Sequence, residues 1–160
     1  MIVVWLDSDW VQWKGSRRSR TGYLIFLNGN LIAFGSVLQS SVALSSTEAE
    51  YMALSYVTRM LLWILNILRA IPGQFVVTPI KVHMDNKPAI NLANNHAASK
   101  YTRHMGIHHH FLRDYYEGGS KIFELTWDES KRNRADGMTK PLPRTPFKVF
   151  TDDVTSTFSC

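Results

Sequence analysis

The stretch TGYLIFLNGNLIAFGS, residues 21–36, contains two apolar segments joined by a polar turn. Asn and Gly tolerate the positive φ angles of tight turns, so the Asn-Gly-Asn sequence at residues 28–30 predicts a hairpin between two strands. An apolar run at residues 2–7 precedes the hairpin and is interpreted as a buried strand. The first part of the chain is therefore predicted to form an antiparallel meander.

A long helix is predicted next. The pair Ser45 and Glu48 fits a capping box at its start, and the pair Thr47 and Glu50 fits one equally well. Neither Gly nor Pro interrupts the chain from there to about residue 70. Apolar residues cover much of this helix, so we expect it to be deeply packed or covered by another chain.

Shorter segments complete the pattern. Strands are predicted at Ile80–Met84 and Ile122–Trp127, and helices at Pro88–Asn94, His108–Tyr116 and Ala135–Thr139. This order predicts an α/β fold with a five-stranded mixed sheet, whose first three strands are antiparallel, and with helices packed on it. One domain over residues 1–150 and a disordered tail over residues 151–160 are expected.

The composition bounds the class of protein. At 160 residues, with 45% hydrophobic and 19% charged residues, the chain resembles a globular domain and not a disordered one. No uninterrupted apolar run approaches the roughly 18 residues of a membrane span, and no signal peptide is recognisable, so no membrane partner is expected. The single cysteine, Cys160, excludes an intramolecular disulfide and favours an intracellular location.

The net charge is +5, and two basic clusters contribute to it. They comprise Lys14, Arg17, Arg18 and Arg20, and Lys131, Arg132, Arg134 and Lys140. Solvated surface is one interpretation of each cluster, and contact with nucleic-acid phosphates is the other.

Acidic residues stand where predicted strands end or helices begin. They are Asp7, Glu50, Asp85 and Asp136. Carboxylates at such positions can converge at one edge of a sheet, where they would repel one another unless divalent cations neutralised them. This arrangement predicts a two-metal site for phosphodiester cleavage. Taken singly, Glu50 could be a capping-box acceptor, Asp85 a turn residue and Asp136 a helix cap.

Two of these acids have a neighbour that competes for the same role. Asp9 lies two residues from Asp7, and side chains two apart on a strand share a face. Asp7 is preferred because it ends the apolar run directly. Glu48 and Glu50 point about 200° apart on a helix, so only one of them can face the site.

Several short sequences carry a family resemblance. They are Asp7-Ser8-Asp9-Trp10, Arg18–Tyr23, Ser45–Tyr51, Asp85-Asn86 and Ala135–Leu142. In this order they resemble the RNase H domain of Ty1/copia-type LTR-retrotransposon polyproteins. The resemblance runs from about Val3 to Phe150 and implies the ribonuclease H-like fold.

The resemblance implies a metal-dependent endonuclease that hydrolyses the RNA strand of RNA–DNA hybrids during retrotransposon reverse transcription. It carries Asp7, Glu50, Asp85 and Asp136 over as catalytic residues and as ligands of two Mg²⁺ ions, with Mn²⁺ as a substitute. The implied partners are the hybrid and a neighbouring reverse transcriptase domain, with no small-molecule cofactor. The implied location is the cytoplasm, within a virus-like particle, or the nucleus.

Small polar residues near the acids are candidates for contact with the 2′-hydroxyls of the hybrid. They are Ser8, Ser45, Ser46, Thr47 and Asn86. Residues of these types are also common turn formers.

A histidine cluster comprises His104 and residues 108–110. Its spacing could hold zinc, but no Cys or second ligand set accompanies it. The family is also His-rich here, so a surface helix near the hybrid is the preferred interpretation.

The chain departs from the family pattern in several places. Residues 128–133 contain no His, which many cellular RNases H carry there, and residues 35–39 replace a stretch that usually bears Lys. Gly106 and Gly137 stand where an acidic and a larger apolar residue are common. One alternative is a catalytically idle module that supports a reverse transcriptase or binds hybrid without cutting it. Another, a related nuclease or integrase acting on DNA, is disfavoured by the Ala135–Leu142 sequence.

Overall fold

The computed structural model describes residues 1–10, 17–73, 76–94, 111–112, 115 and 121–155. The strands are β1 (Ile2–Asp9), β2 (Arg20–Leu27), β3 (Asn30–Leu38), β4 (Ile80–Met84) and β5 (Phe123–Trp127). The helices are α1 (Ser46–Ala70), α2 (Lys87–Asn94), α3 (Asp136–Thr139) and α4 (Arg144–Thr155), with a 3₁₀ turn at Ser130–Arg132. Phe111, Leu112 and Tyr115 are also helical, and the rest of the helix predicted at His108–Tyr116 lies outside the described residues.

The strands form one mixed sheet in the order β3-β2-β1-β4-β5. The pairs β1–β2 and β2–β3 are antiparallel, as predicted, and the pairs β1–β4 and β4–β5 are parallel. Asn28 and Gly29 have φ angles of 51° and 86°, as expected for the predicted hairpin turn. Because β1 and β4 are parallel neighbours, their carboxyl ends meet at one edge of the sheet.

Apolar side chains of α1 and the sheet form the main core. Ile2, Val4 and Leu6 alternate along β1 and are buried in one cluster with Leu61 and Leu65 of α1. This alternation has the period of a strand that presents one face to a helix. Each fully buried side chain of this kind contributes about 1.5–3 kcal/mol relative to exposure, so this cluster holds α1 against the sheet.

By length and composition α1 could cross a membrane, although polar residues interrupt its apolar run. In the fold, 56% of its most apolar window is buried, and many of its apolar side chains belong to the core. α1 is therefore the core helix of this domain.

Helix α4 differs from the sequence expectation. It continues to Thr155, past the domain end predicted at residue 150, so residues 151–155 are not a disordered tail. Pro146 lies in its first turn, where an N–H would have no intrahelical partner to lose. Arg134 ties α4 to the domain through an ion pair with Asp153, at 2.6 Å. Residues 156–160 lie outside the described part of the chain.

Candidate active site

Three carboxylates meet at the carboxyl edge of β1 and β4. Asp7 lies in β1, Asp85 directly follows β4, and Asp136 is the first residue of α3. Each offers a carboxylate oxygen, and these oxygens all lie within 4.8 Å of one another. The parallel pairing of β1 with β4 places the first two acids side by side, and α3 adds the third.

Glu50 of α1 lies outside this three-carboxylate cluster, but the charges of Asp7, Asp85 and Asp136 act on its carboxyl group. Its side chain is buried, and its Oε1 accepts a hydrogen bond from the backbone N–H of Ser8, at 2.8 Å. Among the described residues its other oxygen, Oε2, has no hydrogen-bond partner. A buried carboxylate oxygen without a donor is costly, so a proton or a bound cation would stabilise this atom.

The pKa values of Asp7 and Glu50 also favour a bound cation at this site. Burial raises the pKa of Asp7 to about 6, and the charges of Asp136 and Asp85 add to this shift. Burial also raises the pKa of Glu50 well above its ordinary value, with further increases from Asp7 and Asp85. The raised pKa values show that these carboxyl groups do not readily ionise together. A divalent cation such as Mg²⁺, which prefers carboxylate oxygens, would offset the repulsion between their charges.

Two residues that sequence reasoning did not select hold Asp7 in place. The Thr139 hydroxyl donates a hydrogen bond to Asp7 Oδ2. The Asn133 amide donates to the Leu6 carbonyl at 2.8 Å and lies 3.5 Å from Asp7 Oδ1. The sequence could have indicated Thr139, because it lies three residues after Asp136 and residues three apart share one face of a helix.

Lys140 places a cation beside the acids. Its Nζ lies 2.8 Å from Asp136 Oδ2. Burial lowers the pKa of Lys140, but the hydrogen bond and charge of Asp136, with the charges of Asp7 and Asp85, outweigh it and raise the pKa. The other oxygen, Asp136 Oδ1, is buried with no hydrogen-bond partner among the described residues. Lys140 therefore offsets only part of the repulsion within the group.

The structure separates the acids from their competitors. Asp9 lies opposite Arg20 in the β1–β2 register and outside the three-carboxylate cluster. Glu48 forms a capping arrangement: its Oε2 accepts from the Leu44 N–H at 2.7 Å, and its own N–H donates to Ser45 Oγ at 3.1 Å. Ser45 is thus the N-cap of α1, and Glu50 is free of the capping role.

The candidates for substrate contact fall into different settings. Ser46 is exposed and Thr47 half-buried in the first turn of α1, beside the N-cap Ser45. Asn86 caps α2, because its Oδ1 accepts from the Ala89 N–H at 2.9 Å. The Ser8 hydroxyl oxygen is buried without a hydrogen-bond partner in the described part of the chain. Contact of these residues with a hybrid stays a prediction.

The second basic cluster divides into two parts. Arg134 is engaged by Asp153 and lies over the Trp5 and Phe26 rings, so its role is to hold α4. Lys131 and Arg132 line a groove of about 340 Å³ that also reaches Asp136. In the first cluster, Lys14 lies outside the described residues, as does the histidine cluster at residues 104–110.

Gly137, a departure from the family pattern, has a structural explanation. A Cβ at this position would lie 2.8 Å from the Phe150 ring of α4. The aromatic ring therefore occupies the space that a larger residue at position 137 would fill. The last helix α4 and the site helix α3 are packed together through this contact.

Gly22 allows α3 to approach the sheet. It lies opposite Asp7 in the β1–β2 register, and a Cβ there would lie 2.6 Å from Thr139 Cγ2 and 2.8 Å from Met138 Cβ. We predict that Gly22→Val displaces α3 from the sheet and lowers the free energy of unfolding by about 1–3 kcal/mol, as measured by thermal denaturation. Gly29→Asn is the control, because Gly29 has open space around it and Asn tolerates its φ of 86°. Wild-type thermal stability in Gly22→Val would contradict the packing argument.

Comparison with known proteins reveals relatives over most of the chain. It is 32% identical over 147 residues to the retrovirus-related Pol polyprotein from transposon TNT 1-94 of Nicotiana tabacum, covering 89% of this chain and 10% of that protein. It is 30% identical over 148 residues to the corresponding polyprotein from transposon RE1 of Arabidopsis thaliana, covering 92% and 10%. The chain thus spans about a tenth of the length of these curated relatives. No protein-family model matches it.

Among solved structures, LC11-RNase H1, isolated from compost, superimposes with a TM-score of 0.63 at 17% identity, covering 86% of this chain and 91% of that one. The same enzyme in complex with RNA/DNA hybrid gives 0.61 at 14% identity, covering 87% and 94%. The fold is the ribonuclease H fold, with the acidic cluster at the carboxyl edge of its central strands. The relatives and the fold together fit an RNase H domain of a Ty1/copia-type retrotransposon Pol polyprotein.

Proposed function

We propose that this domain is a metal-dependent ribonuclease H, an endonuclease that hydrolyses the RNA strand of RNA–DNA hybrids during retrotransposon reverse transcription. The observation that carries the proposal is the convergence of Asp7, Asp85 and Asp136 beside the buried, incompletely hydrogen-bonded Glu50. The Pol polyprotein relatives and the hybrid-bound structural neighbour support the substrate and the context. A neighbouring reverse transcriptase domain is the proposed partner.

The four acids would hold two Mg²⁺ ions, or Mn²⁺ in their place. When bound, these ions would activate a water for attack on phosphorus and stabilise the leaving 3′-oxygen. Thr139 and Asn133 fix the orientation of the Asp7 carboxylate, and the Ser8 N–H fixes that of Glu50. The segment that carries a His in many cellular enzymes here supplies Asn133 as a support for Asp7.

The test is cleavage of a labelled RNA–DNA hybrid with Mg²⁺ or Mn²⁺, comparing the wild type with Asp85→Asn. We predict hybrid-specific cutting of the RNA strand and a loss of at least about 100-fold in the variant, because a ligand to the ions is removed. Asp152→Asn, the same change at an exposed acid of α4, is expected to retain full activity. Equal cutting by the wild type and Asp85→Asn would remove Asp85 from the site.

The idle module is the second candidate, and an exposed apolar surface on α1 favours it. Tyr56, Arg59, Met60 and Trp63 line a groove of about 310 Å³, and Trp63 is 60% exposed. Such a surface suits a partner domain. Folded wild type that binds hybrid but cuts it with neither Mg²⁺ nor Mn²⁺ would establish this candidate in place of the nuclease.

A further inference from the structure

Trp127 lies at the end of β5 beside the candidate active site, and its side chain is 41% exposed. Its indole N–H donates a hydrogen bond to the backbone carbonyl of Asp85, at 3.0 Å. The next residue, Asp128, donates its N–H to the Met84 carbonyl, also at 3.0 Å. The indole is therefore held in a fixed position next to an acid of the site, although much of it faces solvent.

Lys87 places a cation on this indole. Its Nζ lies 3.8 Å from the centre of the Trp127 ring. Lys87 is exposed and begins α2, whose start is fixed by the Asn86 cap on Ala89. An aromatic ring and an ammonium group are thus presented together. Lys87 directly follows Asn86 in the chain, and Trp127 ends β5, the strand next to β4 in the sheet.

The chemistry of this pair matches a nucleic-acid strand. Bases and sugars stack on exposed aromatic rings, and a Lys beside the ring neutralises the neighbouring phosphate. The hydrogen bond to the Asp85 carbonyl uses only the indole N–H, and the Lys87 ammonium covers one face of the ring, so the remaining exposed part of the ring is available for such contact. Through the Asp85 backbone the pair adjoins the carboxylate cluster, so a strand bound at the cluster would pass close to it.

We propose that Trp127 and Lys87 form a docking subsite for a strand of the RNA–DNA hybrid, adjacent to the Asp85 side of the carboxylate cluster. The indole stacks on a nucleoside, and the ammonium contacts a phosphate next to the one that is cut. The subsite rests on the proposed function, because it concerns the binding of the same substrate. Neither residue was selected from the sequence.

The experiment measures binding of a fluorescein-labelled RNA–DNA hybrid by anisotropy in Ca²⁺ and, separately, cleavage in Mg²⁺. Trp127→Ala is expected to weaken binding about tenfold, which lies within the range of roughly 5- to 150-fold that stacking on one aromatic ring contributes. Trp127→Phe keeps a ring but loses the N–H, so it should retain most of the binding even if Asp85 shifts and cleavage slows. Lys87→Gln should lower the slope of log Kd against log salt by about one.

Trp63→Ala is the matched control, because it removes another exposed tryptophan roughly 20 Å along α1 from Glu50. It is expected to bind hybrid like the wild type. If Trp127→Ala and Lys87→Gln bind with wild-type affinity while the wild type cuts hybrid, the subsite is wrong and the proposed function stands. If Trp127→Phe and Trp127→Ala weaken hybrid binding equally, the stacking proposal is wrong, and only the hydrogen bond from the indole N–H to the Asp85 carbonyl matters. Wild type that does not bind hybrid at all would overturn both proposals.

Discussion

Asp7→Asn is expected to abolish hybrid cleavage and at the same time to stabilise the metal-free protein at pH 7. Cleavage fails because a central carboxylate of the cluster is lost. Stability rises because burial gives the Asp7 carboxyl a pKa of about 6, against 3.8 for an unperturbed Asp. The neutral amide avoids the cost of burying this charge and still offers an oxygen to the Thr139 hydroxyl.

The sign of the pH dependence follows from the direction of this pKa. A carboxyl whose pKa is higher in the folded than in the unfolded state binds its proton more tightly when folded. Its contribution therefore favours folding at low pH and is lost as the pH rises from about 4 to about 6. Above that range the cost reaches up to about 3 kcal/mol, which Asp7→Asn would remove.

Chemical denaturation of metal-free protein between pH 4 and pH 7 measures this effect. The stability of the wild type should fall over that range more steeply than that of Asp7→Asn. Mg²⁺ should stabilise the wild type at pH 7 and have little effect on the variant. Asp9→Asn, two residues along the same strand and outside the cluster, is the control and should keep both cleavage and the response to Mg²⁺. Parallel pH profiles for the wild type and Asp7→Asn would contradict the assignment.

Glu50→Gln and Glu48→Gln form a matched pair with opposite expected outcomes. Glu50→Gln should lose cleavage by at least about 100-fold, because a charged ligand becomes neutral. Its fold should survive, since the new side-chain oxygen can still accept from the Ser8 N–H. Glu48→Gln should cut hybrid like the wild type, because Gln serves a capping box as well as Glu does.

Single-turnover cleavage with excess enzyme separates these two variants, and circular dichroism confirms that both are folded. A large loss of cleavage in Glu48→Gln with none in Glu50→Gln would exchange their roles. Comparable losses in both would mean that the charge of the first helical turns matters more than either position.

Local sequence patterns identify the candidate acids but do not choose between Asp7 and Asp9 or between Glu48 and Glu50. The period of a strand places Asp7 and Asp9 on one face, so spacing does not separate them. The distinction comes from α3, which packs over Gly22 and brings Thr139 to Asp7. Glu48 and Glu50 point in different directions on a helix, and the choice between them follows from the cap at Ser45.

The missed features have a common cause. Helix α4 begins among prolines, and it contacts the preceding segment through Arg134–Asp153 and Gly137–Phe150, pairs that no helical periodicity relates. Trp127 is a single aromatic residue at the end of a strand, and no periodicity distinguishes a buried ring from an exposed one. Its position beside Lys87 and Asp85 becomes visible only when β4 and β5 are paired.

The amino-acid sequence by itself predicts the hairpin, the long helix, the order of the strands along the chain and the family resemblance. Turn chemistry, periodicity and short motifs suffice for this because they involve residues that are close in the chain. The sheet order and the geometry of the acidic group required the tertiary structure. Asn133 supports the Leu6 carbonyl across 127 residues, and Thr139 reaches Asp7 across 132. Contacts over such separations arise only when the sheet, α1 and α3 pack together, since no local pattern relates residues so far apart in the chain.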